Sequence, residues 1–589
     1  MQKLFDFYQD KIGQYTEKAE KVQRYLKVLS FSRLGLFVIM LLLVYLLRNE
    51  VKVASVVAVL CVVLFLVLVS HYENVKTKYR LLHALVKINT TETKVLRHEF
   101  SDLSPGSEYT DARHAYSEDL DLFGQGSFFQ YLNRTVLHEG QGELAQRLTA
   151  NDIDAITAKQ ETIDELAQMP EWRQDFTAKA MLVQQKVRIA EITDWLSGYE
   201  PFVPKSMRFL PWLFLMLTVF VGIMVFKGGW PESVLVFSVL LGLGITGRYF
   251  RRIMQLATRA DTLKAIFKEY GKLLTMIEQT DFKAAQLRFH KQKLLKDTLE
   301  ASETIEKFYR LLNTMDYNNN FIYAILGNGC FLGALHTAYQ IEKWISRHKN
   351  DVAEWFGVIA LFDAYNSLGN FSFNHPLYSY PIVQESNKVL VCEGMGHPLI
   401  PQDKNVLNDF SIDQKAFFII TGSNMAGKST FLRSAGLMVV MANIGLPVCA
   451  TQCLYSPIKL VTSMRSIDSL SKGDSYFLSE LKRLKMVIEH LEKEHYFVVL
   501  DEILKGTNST DKAEGSKRFL RRLVGAGATG LIATHDLSLC TVAEQLPQIQ
   551  NYYLDATIKD DELYFDYRLK IGVSKTMNAS FLLEKMKLV

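Results

Sequence analysis

The stretch Thr-Gly-Ser-Asn-Met-Ala-Gly-Lys-Ser-Thr at residues 421–430 decides the fold of the C-terminal third of this chain. Four residues separate Gly422 from Gly427, and Lys428 and Ser429 follow directly. This spacing is typical of a loop whose backbone N–H groups cradle the phosphates of a nucleotide. The stretch therefore predicts a nucleotide-binding site.

The sequence on either side supports this interpretation. Apolar and aromatic residues at 416–420 predict a buried strand, and residues 431–438 predict a helix. In a strand–loop–helix unit, the loop and the helix N-terminus point their N–H groups at the phosphates. Lys428 is then expected to reach the β- and γ-phosphates, and the Ser429 hydroxyl to bind Mg²⁺. We predict ATP or a close relative as the ligand, held by Gly422, Ser423, Asn424, Met425, Ala426, Gly427, Lys428, Ser429 and Thr430.

Two later apolar strands end in polar side chains. Residues 496–500 lead into Asp501 and Glu502, and residues 531–534 lead into His535. In P-loop ATPases an Asp at this point holds Mg²⁺, and a polar group beside it orients the attacking water. His535 is predicted to sense the γ-phosphate, with a purely structural histidine as the alternative. The predicted catalytic residues are Glu502, His535 and Lys428, and the predicted metal ligands are Ser429 and Asp501.

These motifs resemble the ATPase domain of the MutS family. Residues 421–430 resemble its Walker A loop, and Gly-Asp-Ser-Tyr-Phe-Leu-Ser-Glu at 473–480 is similar to its Ser-Thr-Phe-Met-x-Glu motif. The segment 506–511 resembles the loop that follows Walker B in that family. The resemblance covers nearly all of residues 391–589 and implies an α/β P-loop ATPase domain.

The resemblance also implies a homodimer with composite ATP sites. Ser475 occupies the position of the serine that touches the γ-phosphate of the opposite subunit. Residues 507–511 are expected to act across the same interface.

The chain departs from the family pattern at several positions. Ser423 and Ala426 replace the usual Pro and Gly, at positions where nucleotide binding tolerates change. Leu504 and Lys505 stand where Gly-Arg is usual, so the cross-subunit loop is atypical. The aromatic residue that often stacks on adenine is missing from 404–407, which leaves base selectivity open.

Two pairs of apolar runs predict membrane-spanning hairpins. Hydrophobic residues make up 48% of the 589 residues and concentrate in 34–47, 53–69, 209–226 and 233–246. A buried core helix is the alternative for any one run, but two apolar hairpins with short polar turns are not typical of a soluble core. The predicted spans are 31–48, 53–70, 209–226 and 233–248.

Basic residues flank both pairs on the side away from the turns. The positive-inside rule therefore places both termini and the ATPase domain in the cytoplasm, with four spans. We predict a multi-pass protein of the inner (cytoplasmic) membrane. A further run at 321–341 is predicted to be a core or interfacial helix, because a fifth span would separate the ATPase domain from its ATP.

The middle of the chain has a helical pattern, and residues 116–135 and 359–368 resemble the MutS core domain. In that family a DNA clamp is inserted between two lever helices of the core. Here the corresponding insertion, at about 200–255, is the second predicted hairpin. The mismatch-reading domain is predicted to be absent, because residues 1–100 are helix and membrane hairpin.

The fold class is therefore an α/β P-loop ATPase domain after an all-α core/lever domain, with two transmembrane α-helical hairpins. We predict an N-terminal helix and first hairpin at 1–100, the core with the second hairpin inserted at 101–390, and the ATPase domain at 391–589. The predicted function is a membrane-anchored MutS-family ATPase switch, by resemblance a DNA-binding mismatch repair protein. The alternative is a membrane ATPase that acts on an envelope or protein partner. The net charge of +4 is too small to indicate a nucleic-acid partner by itself.

Overall fold

The computed structural model describes residues 2–183, 188–296, 299–423, 425–465, 476–505, 508–559 and 562–574. The α-helices are α1 Gln2–Leu46, α2 Val51–Val95, α3 Phe128–Leu132, α4 His138–Thr149, α5 Ile156–Ala167, α6 Pro170–Ala180, α7 Ile189–Ser197, α8 Leu210–Phe226, α9 Glu232–Gly247, α10 Phe250–Glu278, α11 Ala285–Gln292, α12 Ala301–Met315, α13 Phe321–Phe331, α14 Gly333–Asn374, α15 Lys428–Asn443, α16 Tyr476–Leu491 and α17 Ser509–Gly525. The β-strands are β1 Leu295–Lys296, β2 Leu299–Glu300, β3 Ile382–Val383, β4 Lys388–Met395, β5 Asn408–Asp413, β6 Phe417–Gly422, β7 Gln452–Tyr455, β8 Lys459–Ser463, β9 Tyr496–Asp501, β10 Thr529–Ala533, β11 Ile549–Leu554, β12 Ala556–Lys559, β13 Glu562–Phe565 and β14 Lys570–Ile571.

The helices α1 and α2 form a long hairpin that contains the first predicted pair of spans. Both helices continue well beyond the apolar runs, because charged residues extend them with pairs such as Glu17–Lys21 at four-residue spacing. Both are long and apolar enough to cross a membrane, judged by length and composition. Their large apolar side chains between residues 28 and 67 are mostly exposed.

The second predicted pair of spans corresponds to α8 and α9. These helices have 17 and 16 residues, and α9 reaches spanning length only together with α10, from which it is bent by 67°. The four-span topology therefore stays a prediction for this pair. Thr218 of α8 and Ser238 of α9 face each other, with 3.3 Å between their hydroxyl oxygens.

The run at 321–341 is divided between α13 and the start of α14. The break lies at Leu332, whose φ of +52° interrupts the helix. α13 packs closely on α9, since a Cβ on Gly242 would lie 2.4 Å from the Gly329 carbonyl oxygen. Trp212 of α8 contacts the same region, with its ring 6.0 Å from that of His336 on α14.

The helix α14 joins these apolar helices to the C-terminal domain. Its 42 residues correspond to a length of roughly 63 Å at 1.5 Å per residue. At its C-terminal end, Asn374 accepts a hydrogen bond from the Tyr8 hydroxyl at 2.7 Å and donates one to Glu92 at 2.8 Å. The two ends of α14 are thus attached to different apolar hairpins.

The C-terminal domain is built on a six-stranded sheet in the order β14-β11-β6-β10-β9-β8. The five strands from β11 to β8 are parallel, and β14 is antiparallel to β11. The strands β6, β9 and β10 are almost entirely buried, which explains their uninterrupted apolar sequences. A second sheet has the order β3-β7-β4-β5. The strand–loop–helix prediction at residues 416–438 and the two later strands are confirmed.

The helical part is fixed directly onto this domain. The Asp119 carboxylate accepts hydrogen bonds from the Thr462 hydroxyl at 2.5 Å and the Arg465 N–H at 2.8 Å. Lys159 of α5 donates to the Asn443 carbonyl at 3.1 Å. A Cβ on Gly445 would lie 2.6 Å from the Lys159 Cβ, so this turn needs glycine to approach α5. These contacts place the segment around Asp119 and the helix α5 against the domain that carries the glycine loop.

Candidate nucleotide-binding site

The carboxyl ends of three neighbouring strands bring the predicted residues together. In the sheet β6 lies beside β10, and β10 lies beside β9, all parallel. Because parallel strands present their carboxyl ends at one edge, the glycine loop, Asp501, Glu502 and His535 meet there. The sequence alone placed these residues at strand ends, and the strand order makes them neighbours.

The loop conformation depends on its glycines. Gly422 has a φ of +151°, and a Cβ there would lie 2.3 Å from the Leu554 carbonyl oxygen of β11. Gly427 has a φ of +92° and lies directly before the first turn of α15. Met425, with a φ of +67°, is 81% exposed, whereas Ala426 is buried. Asn424 lies outside the described residues.

The Lys428 ammonium group lies inside the loop. Its Nζ donates to the carbonyl oxygens of Gly422 and Ser423, both at 3.0 Å, and lies 3.2 Å from His535 Nε2. Burial lowers the pKa of Lys428, while the nearby carboxylates of Glu502 and Asp501 oppose that shift. This position suits a cation that neutralises phosphate charge next to the loop.

The predicted metal ligands are in direct contact. The Ser429 hydroxyl donates to Asp501 Oδ2 at 2.5 Å. Burial raises the pKa of Asp501, and the hydrogen bond from Ser429 partly offsets this. In the described part of the chain, no group of three or more His, Cys, Asp or Glu side chains is arranged to hold a metal. Two oxygen ligands beside a phosphate loop fit Mg²⁺, which usually takes one or two protein ligands together with substrate phosphates.

Glu502 and His535 form a second contact at the same edge. Glu502 Oε1 lies 2.9 Å from His535 Nε2, and Lys505 Nζ lies 3.7 Å from Glu502 Oε2. Burial lowers the pKa of His535 and the charge of Lys428 lowers it further, whereas the carboxylates of Glu502 and Asp501 oppose that shift. A neutral Nε2 can donate to Glu502 or accept from Lys428, but not both at once.

The segment after β9 is held by a buried glutamate. Glu480 of α16 accepts the Lys505 N–H at 3.1 Å, and burial raises the pKa of Glu480. Glu502 and Leu504 have positive φ values of +46° and +58°, so this turn is held in an unfavourable backbone conformation beside the site.

Only some of the residues predicted to act across the dimer interface, Ser475 and 507–511, lie in the described part of the chain. Asn508 accepts the Asp511 N–H at 2.8 Å, which caps the start of α17 within the same chain. Ser475, Gly506 and Thr507 lie outside the described residues.

A cavity of about 590 Å³ contains the site. Its lining includes most of the predicted residues, namely Met425, Gly427, Lys428, Ser429, Thr430, Glu502 and His535. It also includes residues to which the sequence assigned no role in the site, among them His397, Asn408 and Tyr567. The Tyr567 ring lies so close that a Cβ on Gly427 would be 2.9 Å from it. Nothing in the local sequence placed His397, Asn408 or Tyr567 in the cavity.

Comparison with known proteins agrees with this geometry. Residues 418–587 match the family model for MutS domain V. The DNA mismatch repair protein MutS of Thermotoga neapolitana is 30% identical over 236 residues, which cover 39% of this chain and 29% of that protein. The MutS proteins of Methanosarcina mazei and Protochlamydia amoebophila are each 31% identical, over 40% and 38% of this chain and 27% of their own lengths. The chain thus spans less than a third of the length of each of these curated relatives.

Proposed function

Because this chain belongs to the MutS family through its ATPase domain, we propose that it hydrolyses Mg²⁺-bound ATP and transmits the resulting conformational change to membrane-embedded helices. The observation that carries this proposal is the convergence of Lys428, Ser429, Glu502 and His535 in one cavity at the ends of three parallel strands, with Asp501 hydrogen-bonded to Ser429 at 2.5 Å. A purely structural role would not require a lysine, a hydroxyl–carboxylate pair and a further carboxylate at the edge of a phosphate loop.

In this proposal the loop N–H groups and Lys428 bind the triphosphate. A phosphate oxygen would compete with the Gly422 and Ser423 carbonyls for the protons of Lys428. Ser429 and Asp501 would hold Mg²⁺, which would neutralise charge on the phosphate oxygens. Phosphoryl transfer depends mainly on this positioning and charge neutralisation.

Glu502 and His535 would couple nucleotide binding to the orientation of the attacking water. When Lys428 donates to a phosphate oxygen, it no longer donates to His535 Nε2, and the neutral ring would then favour the tautomer that carries its proton on Nε2 and donates it to Glu502. That hydrogen bond would fix the Glu502 carboxylate, which accepts the proton of the water. Both side chains are close enough for this role, at 2.9 Å.

The helix α14 is the proposed mechanical link. Its C-terminal end precedes the ATPase domain, and its N-terminal end contacts Trp212 of α8 and follows α13, which packs on α9. The exposed apolar side chains of α1, α2, α8 and α9 support insertion of these helices into a bilayer. Movement of the ATPase domains in a dimer would therefore reach the membrane segments through α14.

The proposed active form is a homodimer, with Ser475 and residues 507–511 contributing to the site of the partner subunit. The basic flanks of the apolar helices support the proposed inner-membrane localisation with the ATPase domain in the cytoplasm. The proposed action is on an envelope or protein partner.

DNA binding is the second candidate function. It is favoured by the match to proteins named DNA mismatch repair protein MutS. Against it, the helices α8 and α9 occupy the part of the chain where the sequence places the counterpart of a DNA clamp.

Two measurements on the purified full chain in lipid nanodiscs test these proposals. Phosphate release should depend on ATP and Mg²⁺, and Lys428→Ala should lower it at least a hundredfold, whereas Lys485→Ala on the exposed face of α16 should not. Equal activity of Lys428→Ala and wild type would exclude this site as the ATPase centre.

Fluorescence anisotropy with matched and mismatched duplexes decides between the two functions. Binding that weakens steeply between 50 and 200 mM salt, as phosphate contacts require, would favour the DNA candidate. Absence of binding at low salt would exclude it and leave the membrane ATPase.

A further inference from the structure

A second large cavity lies where the chain leaves the second apolar hairpin. Its volume is about 650 Å³, and it is bounded by α7, the segment 198–204 and α10. α10 begins three residues after α9 ends and turns away from it by 67°. The side chains on which the inference rests are Trp195, Tyr199, Glu200, Phe202, Arg252 and Arg259.

The two arginines give the cavity a positive wall. Arg252 and Arg259 are seven residues apart on α10, so they lie on one face of the helix about two turns apart. Both side chains are exposed, and neither forms an ion pair within 4 Å with a carboxylate of the described chain. Glu200 is a carboxylate in the lining. Burial raises the pKa of Glu342 behind the wall, and the charge of Arg252 opposes that rise.

Aromatic rings form a second wall of the cavity, which we call the aromatic wall, next to the arginines. The Arg252 guanidinium carbon lies 5.8 Å from the centre of the Phe202 ring, and Phe202 stacks on Tyr249 with 6.5 Å between centroids. The rings of Trp195 and Tyr199 are 5.5 Å apart. Aromatic residues beside the end of an apolar helix are typical of the zone between lipid tails and water.

The aromatic wall is attached to the helix α14. Glu342 of α14 accepts hydrogen bonds from the Phe202 N–H at 2.8 Å, the Val203 N–H at 3.2 Å and the Tyr199 hydroxyl at 3.2 Å. A ligand that moves the segment 199–203 therefore acts directly on α14.

We propose that this cavity binds the phosphate headgroup of an anionic phospholipid from the cytoplasmic leaflet. Arg252 and Arg259 would hold the phosphate, since guanidinium groups match its oxygens in pairs. Trp195, Tyr199 and Phe202 would contact the glycerol and the first carbons of the acyl chains. This inference rests on the membrane insertion of α8 and α9 proposed above. Inorganic phosphate or a soluble phosphate ester offers the same anion, but the position beside an apolar helix favours the lipid.

The test is a binding titration of the purified full chain in a neutral detergent. Short-chain phosphatidylglycerol is the probe, with short-chain phosphatidylcholine, glycerol 3-phosphate and inorganic phosphate as comparison ligands. The pair Arg252→Gln/Arg259→Gln should weaken phosphatidylglycerol binding at least tenfold. The matched pair Arg310→Gln/Arg518→Gln removes the same charge elsewhere and should change binding less than twofold. Arg252→Lys/Arg259→Lys should restore part of the affinity, and Glu200→Gln should increase it.

Four outcomes would overturn the proposal. Unchanged binding in Arg252→Gln/Arg259→Gln, or equal loss in the matched pair, would show that these arginines form no site. Equal affinity for phosphatidylcholine would exclude recognition of the anion. Equal affinity for glycerol 3-phosphate or inorganic phosphate would identify a soluble ligand.

Membrane insertion is measured separately. A Lys227→Cys label in the turn between α8 and α9 should be reached by an impermeant maleimide only from the side opposite the ATPase domain. Labelling from the ATPase side would refute insertion, whatever the lipid titration shows.

Discussion

Replacing Glu502 with glutamine separates nucleotide binding from hydrolysis. The side chain contacts His535 at 2.9 Å and lies 3.7 Å from Lys505, and neither contact involves the backbone of the glycine loop. Glutamine has the same shape and tolerates the same backbone conformation, so Glu502→Gln should fold normally. It cannot accept a proton from the attacking water.

The expected effect follows from that lost proton transfer. General-base catalysis contributes about 10²–10⁴-fold to a rate, or roughly 2.7–5.4 kcal/mol of activation free energy. Phosphate release should fall by that factor. ATP affinity should stay within about threefold of wild type or increase, because one negative charge near the triphosphate is removed.

Steady-state phosphate release and equilibrium binding of a fluorescent ATP analogue measure the two quantities on the same nanodisc sample. Glu492→Gln makes the same chemical change on an exposed side chain of the same domain and should leave both unchanged. Hydrolysis by Glu502→Gln within threefold of wild type would refute the role assigned to Glu502. A parallel loss of binding would show that the side chain supports the fold of the site instead.

Two further perturbations test the helical part. Burial raises the pKa of Asp363 to about 7, from 3.8 in the unfolded chain, although its carboxylate accepts the N–H groups of Val136 and Leu137. Between pH 3.8 and 7 the folded state therefore holds the extra proton, and this group's contribution to stability falls as pH rises, by up to about 1.4 kcal/mol per pH unit. In wild type the apparent Tm should therefore fall as pH rises from 3.8 to 7, and Asp363→Asn should lose this part of the pH dependence. The exposed Asp102→Asn should keep it. Equal dependence of Tm on pH in wild type and Asp363→Asn would contradict the raised pKa of Asp363. Gly242→Val should lower the apparent Tm by several degrees, because the added side chain would meet the Gly329 carbonyl. Gly244→Val is the control, since a Cβ at that position has open space around it. Equal Tm values for the two variants would refute close packing of α9 on α13.

The sequence predicted which residues lie at the carboxyl ends of these strands, because that information is local. The spacing from Gly422 to Ser429 and the polar residues at two strand ends are each encoded within a few positions. Parallel pairing in a buried sheet then brings them together. Tyr567 could not be predicted, since it reaches Gly427 from a segment about 140 positions later, through tertiary packing alone.

The helix boundaries were predicted less well. Hydropathy located spans at 31–48 and 53–70, but α1 and α2 each have 45 residues, because the charged flanks are themselves helical. The run at 321–341 has no Pro, and its Gly-Asn-Gly sequence at 327–329 lies inside α13 rather than at the break, which depends on the conformation of Leu332. The close contact between Gly242 and Gly329 joins distant segments and has no local signal.

The most direct test of coupling is a distance measurement across the dimer. Lys227→Cys, with Cys61 and Cys330 changed to serine, places one spin label per subunit in the turn between α8 and α9. In the Glu502→Gln background in nanodiscs, pulsed electron resonance then reports the label separation with and without ATP. Transmission through α14 predicts that ATP shifts this distance distribution by several ångströms. An unchanged distribution in a dimer that has bound ATP would contradict it.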